Sequence, residues 1–369
     1  MARPRGGCGA SPPGGRRWRT GRAGSAAAAW LGWALMSAQA SALAAETVPS
    51  VLREAAVASP KVLGAATLAV ARAGTRLVAA GERGAVLLSD DGGTSWRQAK
   101  VPVQVSLTAL RFVDARTGWA AGHLGTILKT EDGGETWVLQ LDGVRAAALW
   151  SGALKLGDER AQRLGQRLAG EGPDKPFFDL EFLDAQRGIA VGAYNLAFST
   201  ADGGRSWVPL STRLPNPKSL HLYAVRALQG HLFIAGEQGL LLRSDDGGAS
   251  FAALPSPYKG SYFGLLVARS GTLLAYGLRG NAFRSTDLGA SWQKAETGLP
   301  VSISAATELD GGALALLAQT GELLASRDDG RSFARSGPGA AVPAAGLVVA
   351  ADGHVVVASL RGTRRVAAP

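Results

Sequence analysis

Short apolar runs of three to six residues recur along the chain, and each is followed by a turn of glycine and polar residues. Runs such as 67–71, 77–81 and 85–88 have the length of strands rather than helices. Tight turns separate them, so successive runs are predicted to pair antiparallel. A further strand follows each tryptophan- or phenylalanine-containing turn. One repeat therefore holds four short antiparallel strands, which is a propeller blade.

An eight-residue motif marks the turn before the last strand of a repeat. It reads hydroxyl, any residue, Asp, any residue, Gly, any residue, hydroxyl, and then Trp or Phe. Its aspartates are separated by 41, 70, 44, 41 and 41 residues, and a nearly constant period is typical of stacked repeats. The six copies are residues 89–96, 130–137, 200–207, 244–251, 285–292 and 326–333.

The residue types of this motif suit a structural turn. Asp91 can accept hydrogen bonds from backbone N–H groups ahead of it, and Gly93 can adopt a positive φ. Trp96 opens the next strand and is expected to bury its ring between repeats. Equally spaced copies of a catalytic group would serve no reaction, so the motif is interpreted as structural. Its aspartates are Asp91, Asp132, Asp202, Asp246, Asp287 and Asp328.

The repeats predict an all-β fold, a seven-bladed β-propeller of four-stranded antiparallel blades that occupies residues 46–369 as one domain. The 70-residue step is assigned to a short helical insertion, residues 143–175, between blades two and three. Residues 346–366 add three strand-like runs without the motif. The segment around Val51 and Leu52 is expected to supply the missing strand and close the ring. Six blades are the alternative.

Residues 1–45 are interpreted as a signal peptide outside the fold. Six arginines without an acidic residue precede an apolar run at 26–36, and small residues at 42–45 suit a signal peptidase. The predicted location is the periplasm or a compartment like the thylakoid lumen. The alternative is membrane association through an uncleaved signal, since residues 26–45 are just long enough to span a bilayer.

The predicted signal peptide, called the leader below, also accounts for most of the net positive charge. The chain carries a net charge of +10, of which six charges lie in the leader, so the rest carries about +4. Such a modest charge argues against a nucleic-acid ligand. The only cysteine, Cys8, also lies in the leader, so the propeller has no disulfide and no thiol chemistry.

The connectivity of a four-stranded blade predicts where a binding site can lie. Turns between strands one and two and between strands three and four share one face. Turns between strands two and three share the other face with the links between blades. Three of these seven turns carry arginines, which are either simply solvated or form a docking surface for an acidic segment or carboxylate of a partner protein. The predicted partner-binding residues are Arg83, His123, Arg279, Arg361, Arg213 and Lys218.

Catalytic chemistry is not indicated. His123, His221, His231 and His354 lack metal-ligand spacing, and neither a nucleophile elbow nor a phosphate-binding loop is present. No metal, cofactor or small-molecule substrate is therefore expected, and a monomer is expected. A sialidase-type or other glycoside hydrolase is the alternative function. Its carboxylates would come from Glu82, Glu237 and Glu308, which the sequence does not pair.

The repeated motif is the Asp-box, or BNR repeat, of sialidases, sortilin-type receptors and some glucanases. The complete repeats GERGAVLLSDDGGTSW (residues 81–96) and RTGWAAGHLGTILKTEDGGETW (residues 116–137) resemble most closely the photosystem II stability/assembly factor-like propellers. The resemblance extends over about residues 50–366. The sialidase Arg-Ile-Pro-type motif is absent, and Arg213-Leu214-Pro215 lies in a blade link, so a sialidase arginine triad is not carried over.

This resemblance implies a non-enzymatic protein of a lumenal or periplasmic compartment. Members of the family bind early reaction-centre intermediates, partly through an arginine-rich face. The resemblance would give Arg83, Arg279 and Arg361 a similar docking role. In a bacterium without photosystem II, the role would be accessory to another membrane complex of the envelope.

Overall fold

Apolar strands and tight turns alternate as the sequence predicts, and they form seven antiparallel sheets in which consecutive strands are neighbours. The computed structural model describes residues 48–154, 159, 162–163, 172, 174–337 and 339–369. The predicted signal peptide lies outside these ranges. Every helix within them is too short or too polar to cross a membrane.

The strands are numbered in chain order. Blade one contains β1 (Thr67–Ala73), β2 (Arg76–Gly81), β3 (Val86–Ser89) and β4 (Arg97–Gln98). Blade two contains β5 (Leu107–Phe112), β6 (Gly118–Gly122), β7 (Ile127–Thr130) and β8 (Val138–Leu141), and helix α1 (Gly143–Leu154) follows it. Blade three contains β9 (Phe177–Phe182), β10 (Gly188–Gly192), β11 (Ala197–Thr200) and β12 (Val208–Pro209). Blade four contains β13 (Leu222–Leu228), β14 (His231–Gly236), β15 (Leu241–Ser244) and β16 (Ala252–Ala253). Blade five contains β17 (Tyr262–Val267), β18 (Leu273–Gly277), β19 (Ala282–Ser285) and β20 (Gln293–Lys294). Blade six contains β21 (Ile303–Glu308), β22 (Leu314–Ala318), β23 (Leu323–Ser326) and β24 (Ala334–Arg335). Blade seven contains β25 (Ala344–Val349), β26 (Val355–Ser359) and β27 (Gly362–Val366).

The first strands of the blades surround a central channel, and each contacts the first strands of both neighbouring blades. The contact between β1 and β25 closes the ring. Thr67 Oγ1 donates a hydrogen bond to the Ser359 carbonyl oxygen (3.2 Å) and accepts one from the Ser359 N–H (3.0 Å). The predicted seven-bladed propeller is confirmed.

Blade seven has three strands in the described part of the chain, and the expectation that the segment around Val51 would supply a fourth was wrong. That segment forms a turn of 3-10 helix, Ser50–Leu52, and Pro60–Gly64 forms another. The Gln104 N–H donates to the Val51 carbonyl oxygen (2.7 Å), so this lead-in is bonded to the link between blades one and two. Its prolines also lack the N–H that a strand ladder requires.

The insertion predicted at residues 143–175 begins with helix α1. Most of the insertion after α1 lies outside the described residues. The Asp142 carboxylate accepts a hydrogen bond from the Arg145 N–H (2.9 Å) and caps the helix. Trp150 is 4% exposed, and its ring centroid lies 6.3 Å from that of Phe198. Its cluster includes residues of blades two and three, so α1 covers the seam between them.

Each Asp-box turn is a hydrogen-bonded unit centred on its aspartate. Asp91 Oδ1 accepts from the N–H groups of Thr94 (3.0 Å) and Ser95 (2.9 Å), and Oδ2 accepts from the Ser95 hydroxyl (2.6 Å). The Ser89 hydroxyl donates to Asp91 and accepts from the Gly93 N–H, both at 2.8 Å. Equivalent hydroxyl–carboxylate bonds occur at Asp132, Asp202, Asp246, Asp287 and Asp328.

The aromatic residue of an Asp-box packs where its blade meets the preceding one. Trp96 of blade one packs with Val356 of blade seven, and its indole N–H donates to the Gly93 carbonyl oxygen (3.2 Å). Trp292 of blade five likewise packs in a cluster with Phe233 of blade four. The Asp-box turn therefore fastens one blade to the previous one.

Gly93 provides a test of this seam. Its φ is 89°, and a Cβ at this position would lie 2.7 Å from Val356 Cγ2. Gly93→Ala therefore combines left-handed strain, about 1–2 kcal/mol, with overpacking that adds about 1–3 kcal/mol. Gly247→Ala is the matched control, because its φ is 69° but a Cβ would meet nothing within 4 Å. Urea unfolding should show the larger loss at Gly93, and equal losses would contradict seam packing.

Acid titration tests the aspartate of the turn. Hydrogen bonds from the Ser250 hydroxyl and N–H and from the Ser244 hydroxyl lower the pKa of Asp246 from 3.8 to about 2. A lowered folded-state pKa stabilises the protein above the unfolded value, and this contribution is lost as the pH falls through the folded value. Asp246→Asn should therefore lower the urea midpoint at pH 7, and the difference should shrink between about pH 4 and pH 2. A pH-independent difference would contradict the assignment.

Candidate functional site

The propeller has two faces, the link face and the Asp face. The link face carries the blade links and the turns at residues 82–85, 123–126, 193–196, 237–240, 278–281, 319–322 and 360–361. The Asp face carries the Asp-box turns. On the link face the turns bond to the neighbouring links, as the Gly84 N–H does to the Val105 carbonyl oxygen (2.7 Å). By this connectivity all six predicted partner-binding residues lie on the link face.

Five turns of the link face hold a side chain in the left-handed conformation. These residues, which occupy equivalent positions, are Arg83, Leu124, Tyr194, Gln238 and Arg279, with φ between 51° and 55°. His123 therefore lies one residue before the position that corresponds to Arg83. Gly125 corresponds to Gly84, and Leu124 therefore corresponds to Arg83.

Arg361 has a different turn. Ser359 pairs directly with Gly362, so Leu360 and Arg361 form a two-residue turn between β26 and β27. The Arg361 N–H donates to Ser359 Oγ (3.1 Å). Arg361 therefore lies, as predicted, in the turn between the second and third strands, but this turn is shorter than those of Arg83 and Arg279. It nevertheless lies on the same face.

The predicted cations of the link face are exposed and have no ion-pair partner among the described residues. They are Arg83, Arg213, Lys218, Arg279 and Arg361. Nearby carboxylates bind backbone instead. Glu82 Oε1 accepts from the Ala66 N–H (3.2 Å), and Glu237 Oε2 accepts from the His221 N–H (3.2 Å). These acids fasten turns to the incoming links and leave the arginines unneutralised.

Arginines of the Asp face are mostly paired. Arg76 bridges Asp90 (2.5 Å) and Glu135 (2.9 Å), and Arg97 joins the same network. Further pairs are Arg243–Asp245 (2.8 Å), Arg269–Glu308 (2.8 Å), Arg284–Asp329 (2.7 Å) and Arg365–Asp352 (2.5 Å). The two faces therefore differ in how much of their positive charge is left free.

A cavity of about 600 Å³ opens where the central channel reaches the link face. Tyr223, Phe263 and Ser304 of the first strands line it, together with Leu278, Gln319 and Leu360 of the turns. Leu278 and Leu360 immediately precede Arg279 and Arg361. Two arginines without an ion-pair partner among the described residues thus lie next in sequence to residues that line the cavity.

An aromatic cluster extends from the wall of this cavity. The Tyr223 ring lies 5.3 Å from Phe178 and 5.4 Å from Phe263, and the His221 ring lies 4.5 Å from Tyr194. Phe178, Tyr223 and Phe263 are each the second residue of a first strand. Sequence reasoning missed this cluster, although aromatic residues at the same place in three successive blades were a usable signal.

Four charged side chains form a network deeper in the channel, which sequence reasoning also missed. Arg111 Nη2 lies 2.6 Å from Glu181 Oε2, and Arg226 pairs with Asp179 and lies 3.8 Å from Glu181. Burial raises the pKa of Glu181, and both arginines oppose this shift. The network joins first strands of blades two, three and four. Its signal was the presence of charges within strands that are otherwise apolar.

The structure distributes the six predicted residues over the link face instead of clustering them. Arg279 and Arg361 flank the cavity, and Arg83 follows on the adjoining blade one. Arg213 and Lys218 lie in the link between blades three and four, and His123 lies on blade two. These three are on the same face but in other sectors.

The carboxylates considered for a hydrolase do not form a pair. Glu82 and Glu237 bind backbone on blades one and four, and Glu308 pairs with Arg269 on the Asp face. Throughout the ranges that the structure describes, no three or more His, Cys, Asp or Glu side chains are placed to hold a metal ion.

Sequence comparison supports a relationship for the middle of the chain. The family model of the photosynthesis system II assembly factor YCF48 matches residues 172–293. The predicted family resemblance is confirmed. The photosystem II assembly lipoprotein Ycf48 of Synechococcus sp. (strain CC9902) is 30% identical over 122 residues, which are 32% of this chain and 36% of that protein. The chain thus spans about a third of this curated relative, and the match is narrower than the resemblance expected over residues 50–366.

Solved structures share the fold over most of the chain. A structure of YCF48 bound to D1 peptide has a TM-score of 0.61 and 16% identity, and the match covers 86% of this chain and 97% of that one. The GH74 enzyme of Niastella koreensis has a TM-score of 0.57 and 13% identity, over 81% of this chain and 52% of that one. At these identities the likeness shows the fold alone.

The channel network yields a stability prediction. Asp179→Asn keeps the shape of the side chain but leaves Arg226 without its main countercharge, and should destabilise the fold by roughly 1–3 kcal/mol. Asp184→Asn is the control, because the pair Arg187–Asp184 (2.8 Å) is solvent-exposed and should contribute less than about 1 kcal/mol. Urea unfolding measures both variants. Equal losses in the free energy of unfolding would show that the channel network stabilises the fold no more than an exposed ion pair does.

Proposed function

We propose that this chain is an exported, protein-binding propeller that acts as an assembly or stability factor for a membrane protein complex. Its link face would hold an acidic segment or carboxylate of a subunit of that complex. The observation that carries this proposal is the contrast between five exposed cations without an ion-pair partner on the link face and mostly ion-paired arginines on the Asp face, both among the described residues.

The chemistry of the link face suits such a ligand. A guanidinium group binds a carboxylate through two parallel hydrogen bonds, which favours acidic segments over neutral ones. Arg279 and Arg361 stand beside an apolar cavity, so a ligand with both an apolar and an acidic group can satisfy both features. Arg83 extends this surface onto blade one, and Arg213, Lys218 and His123 form its outlying parts.

The relatives support the class of function. The curated Ycf48 relative is described as an assembly lipoprotein of photosystem II, and a propeller with the same fold was solved with a D1 peptide. We carry over from them a membrane-complex subunit as partner and a role without catalysis or cofactor. Export through residues 1–45 would place the propeller in the periplasm or an equivalent lumen, where it would work as a monomer.

Charge reversal on the link face tests the proposal. Arg83, Arg279 and Arg361 changed together to Glu should reduce recovery of a membrane-complex subunit from detergent-solubilised envelope at least about tenfold, because the acidic ligand is repelled. Quantitative mass spectrometry of affinity-purified samples measures the loss. Thermal unfolding should change little, since none of these three guanidinium groups has an ion-pair partner among the described residues.

A matched variant controls for the change in net charge. Arg72, Arg205 and Arg327 are exposed arginines of the Asp face without a carboxylate partner among the described residues. Their joint change to Glu alters the charge equally and should leave subunit recovery within about twofold of the parent. If both triple variants lose the subunit alike, the link face is not the docking surface.

Hydrolase activity is tested separately. Fluorogenic sialosides and a β-glucan panel should give no turnover with the purified propeller. Robust turnover that a link-face variant abolishes would replace the assembly proposal with a glycoside hydrolase.

A further inference from the structure

Blade seven ends in a strand whose outer edge has no neighbour among the described residues. β27 pairs with β26 from Gly362 to Val366, and no described strand lies on its other side. In five of the other blades the outermost strand has only two residues, and in blade two it has four. Short edge strands limit unwanted pairing. The five-residue β27 is thus the longest outermost strand among the described blades, and the Leu63 carbonyl oxygen lies close to its Gly362 end.

Arg364 occupies the place on β27 at which the other blades pair their third and fourth strands. It pairs with Val357 of β26. The equivalent residues of the other six blades are buried, at 6% exposure or less: Leu87, Leu128, Phe198, Leu242, Phe283 and Leu324. Each of those residues also pairs with a residue of its own fourth strand. An exposed arginine therefore replaces an apolar core residue at the position where a fourth strand is missing.

The charge at this edge is free. The Arg364 guanidinium donates a hydrogen bond to the Thr363 carbonyl oxygen (3.2 Å) and has no carboxylate partner among the described residues. Arg361, in the turn before β27, is likewise unpaired. Arg365 differs, because it pairs with Asp352 and donates to the Gly92 carbonyl oxygen (3.0 Å). That residue anchors β27 to blade one, while Arg361 and Arg364 remain available.

Exposed apolar groups lie at the same seam. Leu63 of the lead-in, whose carbonyl oxygen lies close to Gly362, is 44% exposed. Leu360, in the turn before β27, is 53% exposed and also lines the cavity at the central channel. The Pro60–Gly64 turn packs near β27, yet no backbone hydrogen bond joins the two. The lead-in therefore approaches the strand without taking the place of a fourth one.

We infer that the outer edge of β27 accepts an extended, acidic segment of a partner protein as the fourth strand of blade seven. Backbone groups of the segment would continue the sheet, and its acidic side chains would pair with Arg361 and Arg364. This surface lies on the rim, and the inference does not rest on docking at Arg83 and Arg279.

Charge favours an acidic partner segment over a second copy of the chain and over residues 1–45 of the same chain. A second copy of the chain would place one Arg364 near another, and like charges across a strand pair are destabilising. Residues 1–45 of the same chain carry six arginines and no acidic residue, so they also have the wrong sign. An acidic segment has the complementary sign.

A designed peptide tests the edge directly. The probe is a fluorescein-labelled, end-capped hexapeptide of alternating Glu and Val, titrated against the full chain by fluorescence anisotropy. Hydrogen exchange should show new protection at residues 362–366 when the peptide is bound. Arg364→Glu should weaken binding about tenfold or more, and methylation of alternate peptide N–H groups should do the same because the backbone bonds are lost.

Three controls keep the test specific. Lys294→Glu changes an exposed cation on the two-residue edge of blade five and should stay within about twofold of the parent. Arg83→Glu combined with Arg279→Glu should leave the peptide-induced protection at residues 362–366 unchanged, which separates this edge from the proposed docking face. A peptide of alternating Lys and Val should not bind.

Three results would overturn the inference. The first is no binding of the acidic peptide at millimolar concentration. The second is peptide-induced protection at the cavity instead of β27. The third is protection of residues 362–366 in the free chain that disappears when residues 1–47 are deleted, since the edge would then be filled from within.

Discussion

The packing of each Asp-box turn against the preceding blade is the interaction on which the rest of the structure depends. A four-stranded blade is too thin to enclose its own apolar residues, and its second strand is buried almost throughout only because neighbours cover both sides. The aspartate holds the turn in one conformation, the glycine permits close approach, and the aromatic ring fills the seam. Local hydrogen bonding and long-range packing are therefore coupled in eight residues.

This coupling explains how seven blades close with six motifs. Since a box packs against the blade before it, the box of blade one reaches blade seven, as Trp96 does with Val356. The seam between blades six and seven has no box of its own and is filled by aliphatic side chains such as Leu317 and Val357. Blade seven consequently lacks both the aromatic residue and the fourth strand that the box would introduce.

Much of the fold was predictable because the same local chemistry recurs. The spacing of the Asp-boxes identified the blades, and the 70-residue spacing between the second and third boxes located α1. Prediction failed where a repeat departs from the pattern: the lead-in around Val51 forms 3-10 turns, and the turn at Arg361 is shorter than its counterparts. The face of each candidate arginine followed from strand connectivity. Whether each arginine is ion-paired could not be predicted from the sequence, because that depends on which groups the nearby carboxylates bind. Contacts such as the hydrogen bond from the Ala66 N–H to Glu82 form only on folding.

The charge of the propeller acts through its distribution more than its net value. Most arginines of the Asp face are ion-paired, while cations without an ion-pair partner among the described residues lie on the link face and at the β27 edge. Most of these ion pairs are exposed and contribute little to folding, whereas the Arg284–Asp329 pair is largely buried. The difference between the two faces gives the molecule an electrostatic direction, which increases the rate at which acidic ligands arrive in a productive orientation. Under the proposed function, a rigid scaffold with unpaired cations on its link face would suit an acidic segment of a larger complex.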